Sequence, residues 1–99
     1  MSYEDRRKDS MGYIYIKTWS RGGKMFYRIK FKAAPEEYVF ELGHINFKVI
    51  VNDAIQVIRD NFKIRNANLV LFDENSNAML ETDELHNART YTVKRIPRV

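Results

Sequence analysis

Alternation of apolar and polar residues over two neighbouring segments is the feature that most limits how this chain can fold. The first segment has apolar residues at positions 27, 29 and 31 and cations at positions 28, 30 and 32. The second has apolar residues at positions 38, 40 and 42. A period of two is typical of a half-buried β-strand, and Pro35 lies in the turn-forming stretch between the segments. The two segments therefore predict a β-hairpin.

After this hairpin the period changes to that of a helix. An apolar stripe is formed by Ile55, Ile58 and Phe62. Such a stripe predicts one helix of about three turns over residues 54–62. Asn52 or Asp53 is expected to cap its first turn, because short polar side chains accept hydrogen bonds from the free N–H groups there.

The remaining segments predict short strands separated by polar turns. Residues 67–72 and 90–96 are expected to be strands, and residues 73–77 a polar turn. A very short strand at 79–80 and a helical turn at 82–85 lie between them. The order strand–strand–helix–strand–short strand–strand predicts an α+β domain of the β-grasp (ubiquitin-like) type, with one main helix across a mixed sheet.

An extension precedes this pattern, so the chain divides into residues 1–24 and a ubiquitin-like domain at 25–99. Residues 1–10 are polar and charged, and a flexible terminus is expected there. Residues 12–19 are rich in strand-forming residues without alternating. They are expected either to add an edge strand or to form an unattached extension.

The net charge of +4 is concentrated in the extension. Residues 1–24 carry six cations against three carboxylates, and residues 25–99 carry eleven against ten. Within the domain, the main local basic cluster is formed by Lys94, Arg95 and Arg98. Binding driven by phosphates requires a concentrated basic face, so an RNA-binding module that uses the basic extension, Arg95 and Arg98 is an alternative rather than the favoured function.

Residue types for catalysis or metal binding are sparse. The chain has no cysteine and two histidines, His44 and His86, which are far apart in sequence. No serine adjoins a histidine, and no glycine-rich phosphate-binding motif is present. We therefore expect no enzyme activity, no metal site and no cofactor.

Composition favours a single intracellular domain. A hydrophobic content of 44% over 99 residues is enough to form one core. No apolar run reaches the ~20 residues of a membrane span, and the N-terminus has no apolar signal-peptide segment. We expect no membrane association.

Opposite charges on the two parts of the domain also suggest self-association. Carboxylates follow the third predicted strand at Asp73, Glu74, Glu81, Asp83 and Glu84. Lys30 and Lys32 lie on the first strand. A PB1-like scaffold could assemble head to tail through such edges. A solvated turn is the favoured interpretation of the carboxylates, and a monomer is expected.

Several motifs in residues 25–97 together resemble a known family. They are Lys30-Phe31-Lys32-Ala33, Tyr38-Val39-Phe40, Gly43-His44-Ile45 and Val93-Lys94-Arg95-Ile96-Pro97. In this order, around one helix, they resemble the DWNN domain, the ubiquitin-like N-terminal module of the retinoblastoma-binding protein 6 family.

The resemblance implies a docking module of a nuclear scaffold for pre-mRNA 3′-end processing and ubiquitin ligation. Its implied partners are proteins of the 3′-end cleavage machinery or of the ubiquitin pathway. The chain departs from the family pattern in three ways. It contains no zinc knuckle or RING finger, 24 residues precede the first matching strand, and no glycine pair follows Pro97.

Partner-binding residues are expected on the two strands that carry the end motifs. They are Lys30, Lys32, Thr92, Lys94, Arg95 and Arg98. If Tyr91 and Val93 point into the core, Lys94 occupies the outward face, where an unpaired buried lysine is costly. We therefore expect ordinary ubiquitin receptors not to bind, and partners to present acidic or mixed surfaces.

Overall fold

Six strands form one sheet, and a layer containing a short helix covers one of its faces. The computed structural model describes residues 3–8, 12–20, 23–33, 35–44 and 48–97. The strands of the large sheet are β1 (Tyr3–Lys8), β2 (Tyr13–Ser20), β3 (Gly23–Lys32), β4 (Glu37–His44), β6 (Ala67–Phe72) and β8 (Thr90–Pro97). The covering layer contains β5 (Val49–Ile50), α1 (Val51–Asn61) and β7 (Glu84–Leu85).

Every strand pairing within the described residues is antiparallel. The large sheet has the order β1-β2-β3-β4-β8-β6, and β5 pairs with β7 separately. The α+β class, with one helix in the described ranges, is therefore observed, but the expected mixed sheet is wrong. The reason is that β3 is paired on both edges, with β2 and with β4, so β8 pairs antiparallel with the free edge of β4 instead.

The extension forms two strands of this sheet. The expectation of a flexible terminus is wrong for Tyr3–Lys8, which is β1 and pairs with β2. Strand β2 lies inside the sheet, between β1 and β3, rather than at its edge. Strand β3 begins at Gly23 and so crosses the expected boundary between residues 24 and 25.

The run of apolar residues in β2 reflects two occupied faces. Ile16 is fully buried and Ile14 packs against the same core, whereas Tyr13 and Tyr15 alternate with them on the opposite face. Because neighbouring side chains on a strand point to opposite faces, the lack of hydrophobic alternation is compatible with a strand here.

The core lies between the sheet and α1. The helix contributes Val51, Ala54, Ile55 and Ile58, all of which are buried. Three aromatic rings from adjacent strands pack in sequence across the sheet, with 6.0 Å between the ring centroids of Tyr27 and Phe40 and 5.6 Å between those of Phe40 and Tyr91. Tilted rings at these separations are a favourable aromatic arrangement.

Helix α1 begins earlier than its sequence predicts. It spans Val51–Asn61 rather than residues 54–62, and its N-cap is Ile50, which has no acceptor side chain. Asp53 lies inside the first turn and accepts a hydrogen bond from the Ile50 N–H at 3.1 Å. The N–H groups of Val51 and Asn52 donate to the carbonyls of residues 83 and 81, each at 2.9 Å.

A neighbouring loop therefore supplies the acceptors that an N-cap side chain would otherwise provide. This is the reason that neither Asn52 nor Asp53 is the cap. No helix in the described part of the chain is long and apolar enough to cross a membrane.

The turn after β6 is organised by one carboxylate. Asp73 accepts hydrogen bonds from the N–H groups of Asn75 and Asn77, both at 2.9 Å. These hydrogen bonds, of which the one from Asn77 has the largest effect, hold the pKa of Asp73 below its ordinary value. The predicted turn at 73–77 is confirmed. The short strand is at β7 rather than at 79–80, and residues 84–85 are extended rather than helical.

Two tyrosine hydroxyls in the core differ in their hydrogen bonding. The Tyr27 hydroxyl is buried and has no partner among the described residues. Burial, with a smaller contribution from the negative charge of Asp53, raises the pKa of Tyr27. The Tyr91 hydroxyl instead accepts a hydrogen bond from the His86 N–H at 2.9 Å.

We expect Tyr27→Phe to leave the free energy of unfolding unchanged or to raise it by up to about 1 kcal/mol, because it removes an unsatisfied buried hydroxyl. Tyr91→Phe is the matched control and should lower the free energy of unfolding by about 1 kcal/mol. Urea unfolding of both variants measures this, and a clear loss of stability in Tyr27→Phe would contradict it.

The same substitution should change the alkaline limit of stability. Because the folded state raises the pKa of Tyr27, stability is present below its ordinary pKa of 10.0 and declines as the pH rises above that value. Tyr27→Phe should therefore lose less stability than the parent chain above pH 10.

Candidate interaction surface

The sheet face turned away from α1 carries contacts between cations and aromatic rings, an ion pair and an exposed phenylalanine ring. Alternation with the buried residues assigns its members on β2, β3, β4 and β8. We call it the outer face, and it comprises Tyr13, Tyr15, Lys17, Lys24, Phe26, Arg28, Lys30, Lys32, Glu37, Val39, Glu41, Gly43, Thr90, Thr92, Lys94 and Ile96.

Arg28 is the centre of interactions on this face. Its guanidinium carbon lies 3.6 Å from the ring centroid of Tyr13, and its Nε donates a hydrogen bond to the Tyr15 hydroxyl at 3.0 Å. Glu41, on the other side of the arginine, lies 3.8 Å from its Nη1. The bond to Tyr15 raises the pKa of Arg28 further above its ordinary value, at which the side chain is already a cation.

Four of the six residues expected to bind a partner lie together on the outer face. Lys30 and Thr92 are both paired with Val39, from opposite sides of β4. Lys32 and Lys94 are both paired with Glu37 in the same way. Two adjacent rows across β3, β4 and β8 thus bring together residues that are distant in sequence.

The other two expected residues do not join them. Arg95 follows Lys94 and so lies on the side of the buried Val93, and its Nη1 donates to Glu36 at 3.0 Å. Lys94, by contrast, stays on the outer face, where its Nζ lies 4.9 Å from the ring centroid of Phe72. The basic cluster expected at the end of the chain is therefore divided between two faces, and Arg98 lies outside the described residues.

A second part of the outer face was not anticipated from the sequence. Tyr15, Lys17, Lys24 and Phe26 line a concavity of about 360 Å³. Phe26 is 41% exposed although it lies within a strand, and its ring occupies the space where a side chain on the paired Gly43 would lie. A glycine covered by a cross-strand aromatic ring is a recurrent arrangement in sheets. The pairing of these strands, which produces it, is not visible in the sequence.

The two histidines take separate structural positions. The backbone N–H and carbonyl of His44 are bonded to the side chain of Asn87, at 2.8 and 3.1 Å. His86 uses its backbone N–H to bond Tyr91. No group of three or more histidine or acidic side chains in the described ranges is placed to hold a metal ion.

We expect Gly43→Ala to displace the Phe26 ring, because the added methyl group would overlap it. The two positions should therefore be energetically coupled by about 1 kcal/mol, within the range of residues in contact. A double-mutant cycle of Gly43→Ala and Phe26→Ala, measured by urea unfolding, tests this. Equal costs of Gly43→Ala in both backgrounds would contradict the contact.

Comparison of the chain with protein-family models, with curated proteins and with solved structures found no match. The motif resemblance and the geometry of the outer face are therefore what supports a function for this chain.

Proposed function

We propose that this chain is a non-catalytic, ubiquitin-like protein-interaction module of the DWNN type, belonging to a nuclear scaffold for pre-mRNA 3′-end processing and ubiquitin ligation. Its proposed partners are proteins of the cleavage machinery or of the ubiquitin pathway. It would act by docking them on the two rows of the outer face that contain Lys30, Lys32, Thr92 and Lys94.

One observation carries this proposal. The two end motifs, which begin at Lys30 and Val93, flank the same strand, β4. Their outward side chains form the two rows built around Val39 and Glu37. Motifs that are distant in sequence and contribute to one exposed surface fit a shared role in recognition.

The proposed β-grasp assignment rests on element order rather than on strand pairing. The β3–β4 hairpin, the single described helix, and then β6 and β8 follow each other as that fold requires. Pairing of β8 with β4 departs from the mixed sheet. The added strand β2 accounts for the departure, since it occupies the edge of β3 that a parallel partner would need.

Charge indicates the kind of surface that this site would bind. Lys30, Lys32 and Lys94 lie in the two rows with Glu37 as the carboxylate between them. This excess of positive charge favours partners with acidic or mixed surfaces, since complementary charges speed encounter and exclude wrong partners.

Self-association of the PB1 type has less support from the geometry. Asp73 is occupied in its own turn, and Asp83 accepts a hydrogen bond from the Leu80 N–H at 2.8 Å. Two of the five carboxylates that would face Lys30 and Lys32 thus have structural roles. Docking of a different protein is the function that we favour.

Charge reversal on the two rows tests the proposed function. We expect the full chain, immobilised on beads and incubated with nuclear extract, to enrich subunits of the 3′-end processing machinery. The double variant Lys30→Glu/Lys94→Glu should reduce this enrichment at least tenfold, because it inverts the charge complementarity. Quantitative mass spectrometry measures the enrichment.

The matched control is Lys48→Glu/Arg65→Glu, which makes the same change in net charge at two exposed positions next to the covering layer. It should retain the partners. If the parent chain enriches no processing subunit, or if both double variants lose them equally, the proposal is wrong.

Ubiquitin receptors should not recognise this module. Lys94 lies on the outer face, where binding of an apolar receptor helix would bury its charge. In an NMR titration with a ubiquitin-binding helix, we expect no saturable shifts on residues 68–72 or 90–96. Ubiquitin-like shifts on these strands would contradict this expectation.

A further inference from the structure

One end of the outer face combines aromatic rings with lysines. We call it the aromatic–basic platform, and it consists of Tyr15, Lys17, Lys24, Phe26 and Arg28 on β2 and β3. It lies away from the rows around Val39 and Glu37, and the proposed function does not use it.

The Phe26 ring is presented by the backbone beneath it. Gly43, its partner on β4, has no side chain, and the ring lies in the space above it. The ring remains 41% exposed in the middle of a sheet, although a large apolar side chain there gains by being covered. A ring that rests over the backbone of the next strand and remains partly exposed is available for stacking.

On the outer face, the two strands β2 and β3 carry charge of a single sign. Described outer-face positions on β2 and β3 carry Lys17, Lys24, Arg28, Lys30 and Lys32, and no carboxylate. Lys17 is paired directly with Phe26, and Lys24 precedes it by two positions on the same face. Two acids lie on the neighbouring strands: Asp5 on β1, which is paired with Lys17, and Glu41 on β4, which already lies beside Arg28. Five cations on β2 and β3 outnumber them. The platform is therefore complementary to a polyanion.

We propose that the aromatic–basic platform binds single-stranded nucleic acid. An unpaired base would stack on Phe26, and the phosphates on either side of it would lie against Lys17 and Lys24. Sequence-tolerant single-strand binding combines these two features, an aromatic ring for the base and cations along the backbone.

Other polyanions match the platform less well. An acidic peptide would satisfy the lysines, but it has no flat group to cover the Phe26 ring. A duplex keeps its bases stacked inside and offers the platform only its phosphates. The concavity between Tyr15 and Phe26, with a lysine from each strand at its margin, fits an extended chain in which planar groups alternate with charges.

Fluorescence anisotropy with a labelled 12-nucleotide oligouridylate and the full chain tests the stacking. We expect Phe26→Leu, which keeps apolar bulk but removes the ring, to weaken binding roughly tenfold, as the loss of one base–aromatic stack does. Phe26→Tyr keeps a ring and should stay within about threefold of the parent chain. Urea unfolding of both variants confirms that they are folded.

A salt titration tests the phosphate contacts. For single strands, the slope of log affinity against log salt concentration is about −0.7 for each phosphate contact. Lys17→Gln/Lys24→Gln, which removes two such contacts, should therefore reduce the magnitude of the slope by about 1.4. The control Lys48→Gln/Arg65→Gln removes the same charge near the covering layer and should leave the slope unchanged.

Two competitors separate the alternatives. A polyglutamate peptide and a duplex as long as the oligouridylate should displace the labelled strand far less well than unlabelled oligouridylate does. The proposal is overturned if polyglutamate or the duplex competes equally well, if Phe26→Leu and Phe26→Tyr bind alike, or if the two lysine substitutions leave the salt slope unchanged.

Discussion

Strand β3 is hydrogen-bonded along both of its edges, to β2 and to β4, and the remaining architecture follows from this. A strand with two antiparallel neighbours has no edge left for another partner. Strand β8, the last strand in the described residues, therefore pairs with β4, and β6 follows at the far side. The extension that contributes β1 and β2 thus affects the positions of β8 and β6.

The same arrangement gives β2 and β3 two different surfaces. On one side Ile16, Tyr27 and Ile29 are fully buried beneath the helix layer. On the other side Arg28 joins two tyrosines and Glu41, and Phe26 covers Gly43. Since the inner side chains hold these strands in register, the outer ones occupy defined positions without being buried themselves. A sheet built in this way can present rings and cations at fixed spacing.

Several polar groups in and around the covering layer are hydrogen-bonded only through contacts with other segments of the chain. The first turn of α1 bonds to carbonyls of residues 81 and 83, and Tyr91 accepts a bond from His86. Tyr27, on β3 of the large sheet, differs from these groups, because its hydroxyl has no partner among the described residues. Burying the ring favours folding through its area, whereas burying the hydroxyl opposes it.

The local sequence pattern was sufficient to predict the β3–β4 hairpin, strand β6 at residues 67–72 and the turn that Asp73 organises. Each depends on period-two alternation or on a side chain bonding its own neighbours, and both are properties of the sequence itself. The inward direction of Tyr91 and Val93 was also predictable, because alternation assigns it.

Pairing between distant segments was beyond the reach of the sequence. The sequence of residues 3–8 has no apolar alternation that would indicate a strand. Strand β1 is defined instead by its pairing with β2. The start of α1 depends on acceptors from another loop. The sequence by itself determined which residues alternate and which charges exist. Only the tertiary structure decided that Lys30, Lys32, Thr92 and Lys94 share a face while Arg95 does not, and that Phe26 lies over Gly43, because strand pairing sets neighbours across the sheet.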